Sequence, residues 1–216
     1  MVHAYSLVHD DLPALDDDST RRGRPTLHVL HGPAHALLAG DFLLSAAFLE
    51  LARTPVPPSL LSQMLDRLAE ASGGGFLVGG QHMDMNPPQE PDRIWIERMV
   101  GGKTSAMIRV SLELGALCAG GSDVLERLSP AGDALGMLFQ VTDDLLDATG
   151  DPGSLGKAAG KDAGRGKANL VTLAGVDEAR EKARELAGEV DRMLSVIRGD
   201  WRAVRLLAAC LPDRSS

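Results

Sequence analysis

The chain has 216 residues, 44% of them apolar and only 3% aromatic, which is enough to bury one sizeable core. Its net charge of -8, from 22 basic and 30 acidic residues, argues against general binding of nucleic acid or anionic membranes and suits divalent cations. Cys118 and Cys210 lie far apart, each in an apolar run, which excludes a cysteine metal framework and reads as two buried free thiols of a soluble, cytoplasmic protein.

The opening "MVHAYSLVHDD" has no basic leader and no small-residue cleavage site, so it is not a signal peptide. Its spacing predicts a first helix over 1–11, ended by Pro13, which disfavours an α conformation in the residue before it. The stretch "LVHDDLPALDDDSTRRGRPTLH" then crowds Asp10, Asp11, Asp16, Asp17 and Asp18 ahead of Arg21, Arg22 and Arg24. Carboxylates about 4 Å apart repel by ~1 kcal/mol in water and by ~4 kcal/mol at an intermediate dielectric. Such a stretch is either a solvated loop or the seat of a cation. His28, His31 and His35 are too irregularly spaced to ligate a metal, and His9 and His82 read as structural.

A second helix is predicted over 33–53. Its segment "HALLAGDFLLSAAFLELA" is the most membrane-like of the chain, but Asp41 and Glu50 make it a buried helix rather than a span. A third helix runs from about Ser59 to Met85. Gly73, Gly74, Gly75, Gly79 and Gly80 weaken it by ~1 kcal/mol each relative to Ala, which points to close backbone packing or a ligand alongside. After "NPPQEP" a helix over 92–118 is interrupted at Gly101 and Gly102, just before Lys103 and Thr104. Trp95 and Trp201 fit amphipathic packing.

The next helix, predicted over 130–146, carries "GMLFQVTDDLLD". Helical geometry puts Asp143 and Asp147 on one face, with Gln140 joining them and Asp144 adjacent. Like charges at i, i+4 destabilise a helix, so the pair needs a hard cation, a basic partner or solvent. The flanking Met137, Leu138, Phe139, Val141, Leu145 and Leu146 speak against solvent. A Gly- and Lys-rich loop follows over 149–170, then helices over 177–197 and 200–211. No repeat, P-loop, GxGxxG or Ser/His/Asp arrangement occurs, and the pattern is one all-α domain over 1–216.

Both acidic motifs are trailed by basic residues, Arg21 and Arg22 after the first and Lys157, Lys161 and Lys167 after the second. That is the donor set for a diphosphate held through Mg²⁺, with Arg and Lys neutralising the remaining phosphate oxygens.

In this respect the chain resembles the trans-isoprenyl diphosphate synthases, the farnesyl and geranylgeranyl diphosphate synthase family. "HAYSLVHDDLPALDDDSTRRGRPTLH" is similar to the first aspartate-rich motif, "GGKTSAMI" to the lysine-threonine helix, "FQVTDDLLD" to the second aspartate-rich motif and "GKAAGKDAGRGKANL" to the loop after it. The resemblance spans the whole chain. It implies an all-α bundle around a central cavity, with the acidic motifs facing each other at its mouth, and a homodimer joined through 34–52 and 59–85. Beside the family, the chain reads as short at its N-terminus, without the helices that carry a glycine-lysine and arginine grip on isopentenyl diphosphate.

Carried over by position, Asp10, Asp11 and Asp16 and Asp143, Asp144 and Asp147 would bind Mg²⁺, as three ions. Arg21, Lys103, Lys157 and Lys167 would bind an allylic diphosphate, and Arg22 and His3 isopentenyl diphosphate. Thr104 and Gln140 would line the reacting centre. The implied reaction is loss of pyrophosphate to an allylic cation, attack by the isopentenyl double bond and loss of a proton to pyrophosphate. Tyr5, five residues before Asp10, would floor the cavity and favour a C15 product, with C20 as the alternative. A class I terpene cyclase would replace "DDLLD" by a mixed Asn/Asp, Ser/Thr and Glu motif. The remaining competitor is a truncated, non-catalytic prenyltransferase subunit.

Overall fold

A computed structural model describes residues 1–149 and 168–214. Among them the α-helices and strands run α1 (Val2–Asp10), β1 (Thr20–Arg21), β2 (Arg24–Pro25), α2 (Leu27–His31), α3 (Pro33–Ala52), α4 (Pro58–Ser72), α5 (Leu77–Met85) and α6 (Arg93–Val100). A π-helical turn (Gly101–Ser105) leads into α7 (Ala106–Cys118), followed by α8 (Leu125–Thr149), α9 (Leu170–Ala174), α10 (Val176–Ser195) and α11 (Arg202–Cys210). The all-α class matches the sequence expectation. Backbone packing groups the described residues into two units, Met1–Asp66 and the part from Arg67 onward.

In the first unit α1 packs on α3. The His9 ring lies over Gly40, where an added Cβ would sit 2.1 Å from Nε2, and that nitrogen is 3.0 Å from the Leu37 carbonyl oxygen. The sequence had suggested no strand, yet Thr20–Arg21 and Arg24–Pro25 form an antiparallel pair with Arg21 opposite Arg24. Arg22 (φ 52°) and Gly23 (φ 72°) both take left-handed conformations, the geometry of a two-residue type I′ turn. Arginine at the first of these positions is unusual, so "RRGR" carried no hairpin signal.

The buried helix expected over 33–53 forms but is mostly uncovered. Leu37, Leu38, Phe42 and Leu49 are all exposed, and 17% of its most apolar window is buried. By length and composition it is also the one described helix that could cross a membrane.

The second unit is built on α8, which packs against α7 and α10. From α10, Ala179, Ala183, Leu186, Val190 and Leu194 recur at helical spacing and are buried. They meet a core that includes Leu128, Leu135, Leu138 and Val141 of α8. Each buried Leu or Val contributes about 1.5–3 kcal/mol relative to exposure, and the alanines less. The helix predicted over 59–85 is split at Gly73–Phe76 into α4 and α5. Gly101 and Gly102 do not break the helix over 92–118; they widen it into the π turn. α8 starts at Leu125, with Pro130 inside it. Both cysteines are exposed and free, correcting the buried reading: each ends its helix, α7 or α11.

An ion network centred on the buried Glu113 ties α4, α7 and α8 together. Glu113, 3% exposed, accepts from Arg67 Nη1 at 2.8 Å and from Ser129 Oγ at 2.5 Å. Arg109 lies 3.8 Å from the same carboxylate, donates to both Asp133 oxygens at 3.2 Å and stacks 4.7 Å over the Phe76 ring. A pocket of about 250 Å³ opens on this network rather than on either acidic motif.

Candidate active site

The first acidic motif begins where α1 ends. The Asp16 amide donates to the Asp10 carbonyl at 2.8 Å, so the loop folds back and sets Asp16 beside Asp10 although six positions separate them. Both residues are half-buried. Asp17 turns the chain in a left-handed conformation (φ 49°), and Thr26 Oγ1 pins the loop by donating to the Asp18 carbonyl at 2.7 Å.

Asp11 is different: it is buried, and Arg21 occupies it. Arg21 Nε donates to both carboxylate oxygens at 2.9 and 3.0 Å, and Nη2 to Oδ1 at 2.7 Å. Burial alone would lower the guanidinium's pKa, but the Asp11 bonds and the charges of Asp11, Asp10 and Asp18 raise it above the ordinary arginine value. The arginine expected on a diphosphate is therefore also the partner of the carboxylate expected on a metal. Arg22 stays exposed at the hairpin tip. Partial desolvation of the His3 ring, followed by the charges of Arg22 and Arg21, holds that imidazole below the usual histidine range. Tyr5 is buried on α1, edge-on to the His9 ring at 5.5 Å, and desolvation followed by the Asp10 charge raises its phenol's pKa.

In the second unit the π turn and α8 are joined by a hydrogen-bond chain. Thr104 Oγ1 donates to Gln140 Oε1 at 2.8 Å, and Gln140 Nε2 donates to Asp144 Oδ1 at 2.9 Å. Gln140 thus serves Asp144 at i+4, where helical spacing had suggested the Asp143 face. Asp144 is buried, Asp147 half-buried and Asp143 exposed. Of the apolar neighbours that argued against solvent, Leu138, Val141, Leu145 and Leu146 are buried on the side of α8 away from Asp143, Met137 is half-buried and Phe139 is itself exposed. Lys103, next to Thr104, turns the other way, its Nζ donating to Asp84 Oδ2 of α5 at 2.5 Å. Asp84 was not singled out in the sequence. Lys157, Lys161 and Lys167 lie outside the described residues.

Among the described residues no group of three or more His, Cys, Asp or Glu side chains forms a cage for a metal. The backbone bond between Asp16 and Asp10 nevertheless brings two aspartates to one turn, a donor type that fits Mg²⁺, which is bound through one or two carboxylates and substrate phosphates and keeps several waters. The His28 ring meets Thr26 Oγ1 at 3.1 Å and lies 3.9 Å from Asp17 Oδ1, at the edge of the same motif.

Comparison with known proteins gives the chain's family. The polyprenyl synthetase family model matches residues 1–195. The chain is 43% identical over 199 residues to the farnesyl diphosphate synthase of Escherichia coli, covering 89% of this chain and 67% of that protein. It is 38% identical over 202 residues to geranylgeranyl pyrophosphate synthase 9 of Arabidopsis thaliana, covering 90% of this chain and 56% of that protein. Among solved structures, a geranylgeranyl pyrophosphate synthetase from Pyrococcus horikoshii superposes with a TM-score of 0.88 at 29% identity, covering 99% of this chain and 76% of that one. A Helicobacter pylori geranyltransferase complexed with magnesium and isoprenyl diphosphate gives 0.85 at 28% identity, covering 98% and 70%. The chain therefore spans between about half and three quarters of the length of these relatives, and it belongs to the polyprenyl synthetase family.

Proposed function

We propose that the protein is a Mg²⁺-dependent prenyltransferase that joins isopentenyl diphosphate to dimethylallyl or geranyl diphosphate, giving farnesyl diphosphate and pyrophosphate. The observation that carries this reading is the Thr104–Gln140–Asp144 chain, which fastens the lysine-threonine turn to the second acidic motif. Asp10, Asp16, Asp143 and Asp147 would hold the metal, as three ions, with Asp11 and Asp144 supporting. Bound Mg²⁺ supplies the positive charge that draws electrons toward the departing diphosphate.

The chain's own part is charge placement and positioning. Arg21 and Lys103, with Lys157 and Lys167, neutralise the allylic diphosphate, while Arg22 and a neutral His3 bind the isopentenyl one. Thr104 donates its hydroxyl hydrogen bond to Gln140, so the hydroxyl oxygen keeps its lone pairs for the developing allylic cation. The allylic C–O bond breaks, the isopentenyl double bond forms the new C–C bond, and the proton lost from the adduct goes to pyrophosphate. Tyr5 limits the growing tail. Similarity to both farnesyl and geranylgeranyl synthases supports C15 with C20 as the second product class. A homodimer and a cytoplasmic setting complete the reading.

The test is incubation of the protein with labelled isopentenyl diphosphate, geranyl diphosphate and Mg²⁺, with chromatography of the dephosphorylated alcohols. Farnesol is expected, abolished by chelation and reduced by orders of magnitude in Asp143→Ala. No prenyl alcohol in any combination would assign the chain to a non-catalytic subunit instead.

A further inference from the structure

Lys103 and Thr104 are neighbours in sequence but answer to different helices. Thr104 reaches α8 through Gln140, and Lys103 reaches α5 through Asp84. The π turn makes this possible, since its extra residue per turn spreads consecutive side chains differently from an α-helix.

The backbone at this crossing is fixed independently of the ion pair. A Cβ on Gly80 would lie 2.1 Å from the Lys103 amide nitrogen, and one on Gly102 would lie 3.2 Å from the Gly80 Cα. Two glycines in contact therefore lock α5 against the π turn. Asp84 stands one helical turn beyond Gly80, on the same side of α5. Its side chain is 10% exposed and that of Lys103 23%, so the pair is mostly withdrawn from solvent.

We propose that Asp84 is a positioning residue for Lys103. It accepts a hydrogen bond from one of the three ammonium N–H groups and leaves the other two N–H donors directed at the substrate diphosphate. This rests on the prenyltransferase reading above.

Charge alone predicts the reverse of positioning. A carboxylate beside an anion site weakens anion binding, so its removal would tighten the site if Asp84 did nothing for Lys103. Calorimetry with Mg²⁺ and inorganic pyrophosphate separates the two. Asp84→Asn is expected to bind pyrophosphate about tenfold more weakly, Asp84→Glu to recover most of the loss, and Asp84→Asn to cost nothing further in a Lys103→Met background. Equal or tighter binding by Asp84→Asn, or a full further loss without Lys103, overturns the proposal.

A second readout needs no substrate. The ammonium ¹⁵N resonance of Lys103, assigned by its disappearance in Lys103→Met, is expected to be slowly exchanging in the unmodified protein and lost in Asp84→Asn. Should that variant not fold, Asp84→Glu is expected to shift the resonance. An ammonium signal indifferent to residue 84 overturns the anchor. A signal that depends on Asp84 in a protein that binds no pyrophosphate leaves the anchor standing and removes the substrate reading.

Discussion

Arg21 closes on Asp11 with two guanidinium nitrogens, Nε at 2.9 and 3.0 Å from the two carboxylate oxygens and Nη2 at 2.7 Å from Oδ1. The Asp11 side chain is 7% exposed and that of Arg21 22%, so the two ends of the pair are unequally buried. Breaking a buried pair leaves the survivor uncompensated at a cost of roughly 3–5 kcal/mol, less where water reaches it. Arg21→Ala, which strands the more buried carboxylate, should therefore destabilise more than Asp11→Ala, by about 1 kcal/mol or more. Urea unfolding of both variants gives the order, and the opposite order would show that Asp11 is relieved by another group.

His3 should titrate below the ordinary histidine value of about 6.5, because desolvation and the charges of Arg22 and Arg21 disfavour its proton. The unfolded chain then binds that proton more readily than the folded one. This contribution to stability is complete above the unfolded value and is lost as pH falls through it toward the folded value. Arg22→Ala removes the second cause and should move the imidazole resonance titration upward. A midpoint unchanged by Arg22→Ala would mean that Arg22 does not act on the ring.

Gly80→Ala places a methyl group against backbone atoms of the π turn, 2.1 Å from the Lys103 nitrogen and 2.7 Å from the Gly102 carbonyl carbon. Backbone cannot step aside as a flexible side chain can, so a loss of about 1–3 kcal/mol or more is expected in the urea midpoint. Gly74→Ala, where an added Cβ meets nothing, should cost far less. Equal effects would mean that α5 is free to shift.

Tyr5→Ala should lengthen the prenyl product by at least one isoprene unit. Tyr5 lies five residues before Asp10 on α1, roughly 7 Å along the helix axis at about 1.5 Å per residue. An unchanged distribution of dephosphorylated alcohols would put the floor of the tail cavity elsewhere.

On α3, Leu38 is 64% and Phe42 69% exposed, one turn apart on one face. A second copy covering this face is the expected partner, so sedimentation at micromolar concentration should show a dimer and Phe42→Glu should shift it to monomer. A monomeric unmodified protein would end this expectation.

Much of this was legible in the sequence because it is periodic or local. Helices declare themselves through apolar spacing, and the acidic motifs through carboxylates within a turn of one another. Glycine crowding near 79–80 correctly signalled close backbone approach. Other features depend on partners distant in sequence. Asp84 is a lone acid in "QHMDMN", and only the crossing of α5 with the π turn makes it the partner of Lys103. The Arg21–Asp11 grip depends on a turn whose left-handed Arg22 no propensity favours. Exposure of α3 was misread for a related reason: composition reports that a face is apolar, but not what covers it.

The network around the buried Glu113 bears on how this chain could be recombined with others. Arg67, Arg109, Glu113, Ser129 and Asp133 come from three helices, yet each satisfies another's charge or hydrogen bond. They form an inheritance block: a crossover between residues 113 and 129 that brings an apolar residue in place of Ser129, or a cation in place of Asp133, costs the 3% exposed Glu113 its hydroxyl donor or sets a like charge against Arg109. Chimaeras joined in the 73–76 break, by contrast, keep four of the five members from one parent and need only Arg67, or a cation in its place, from the other.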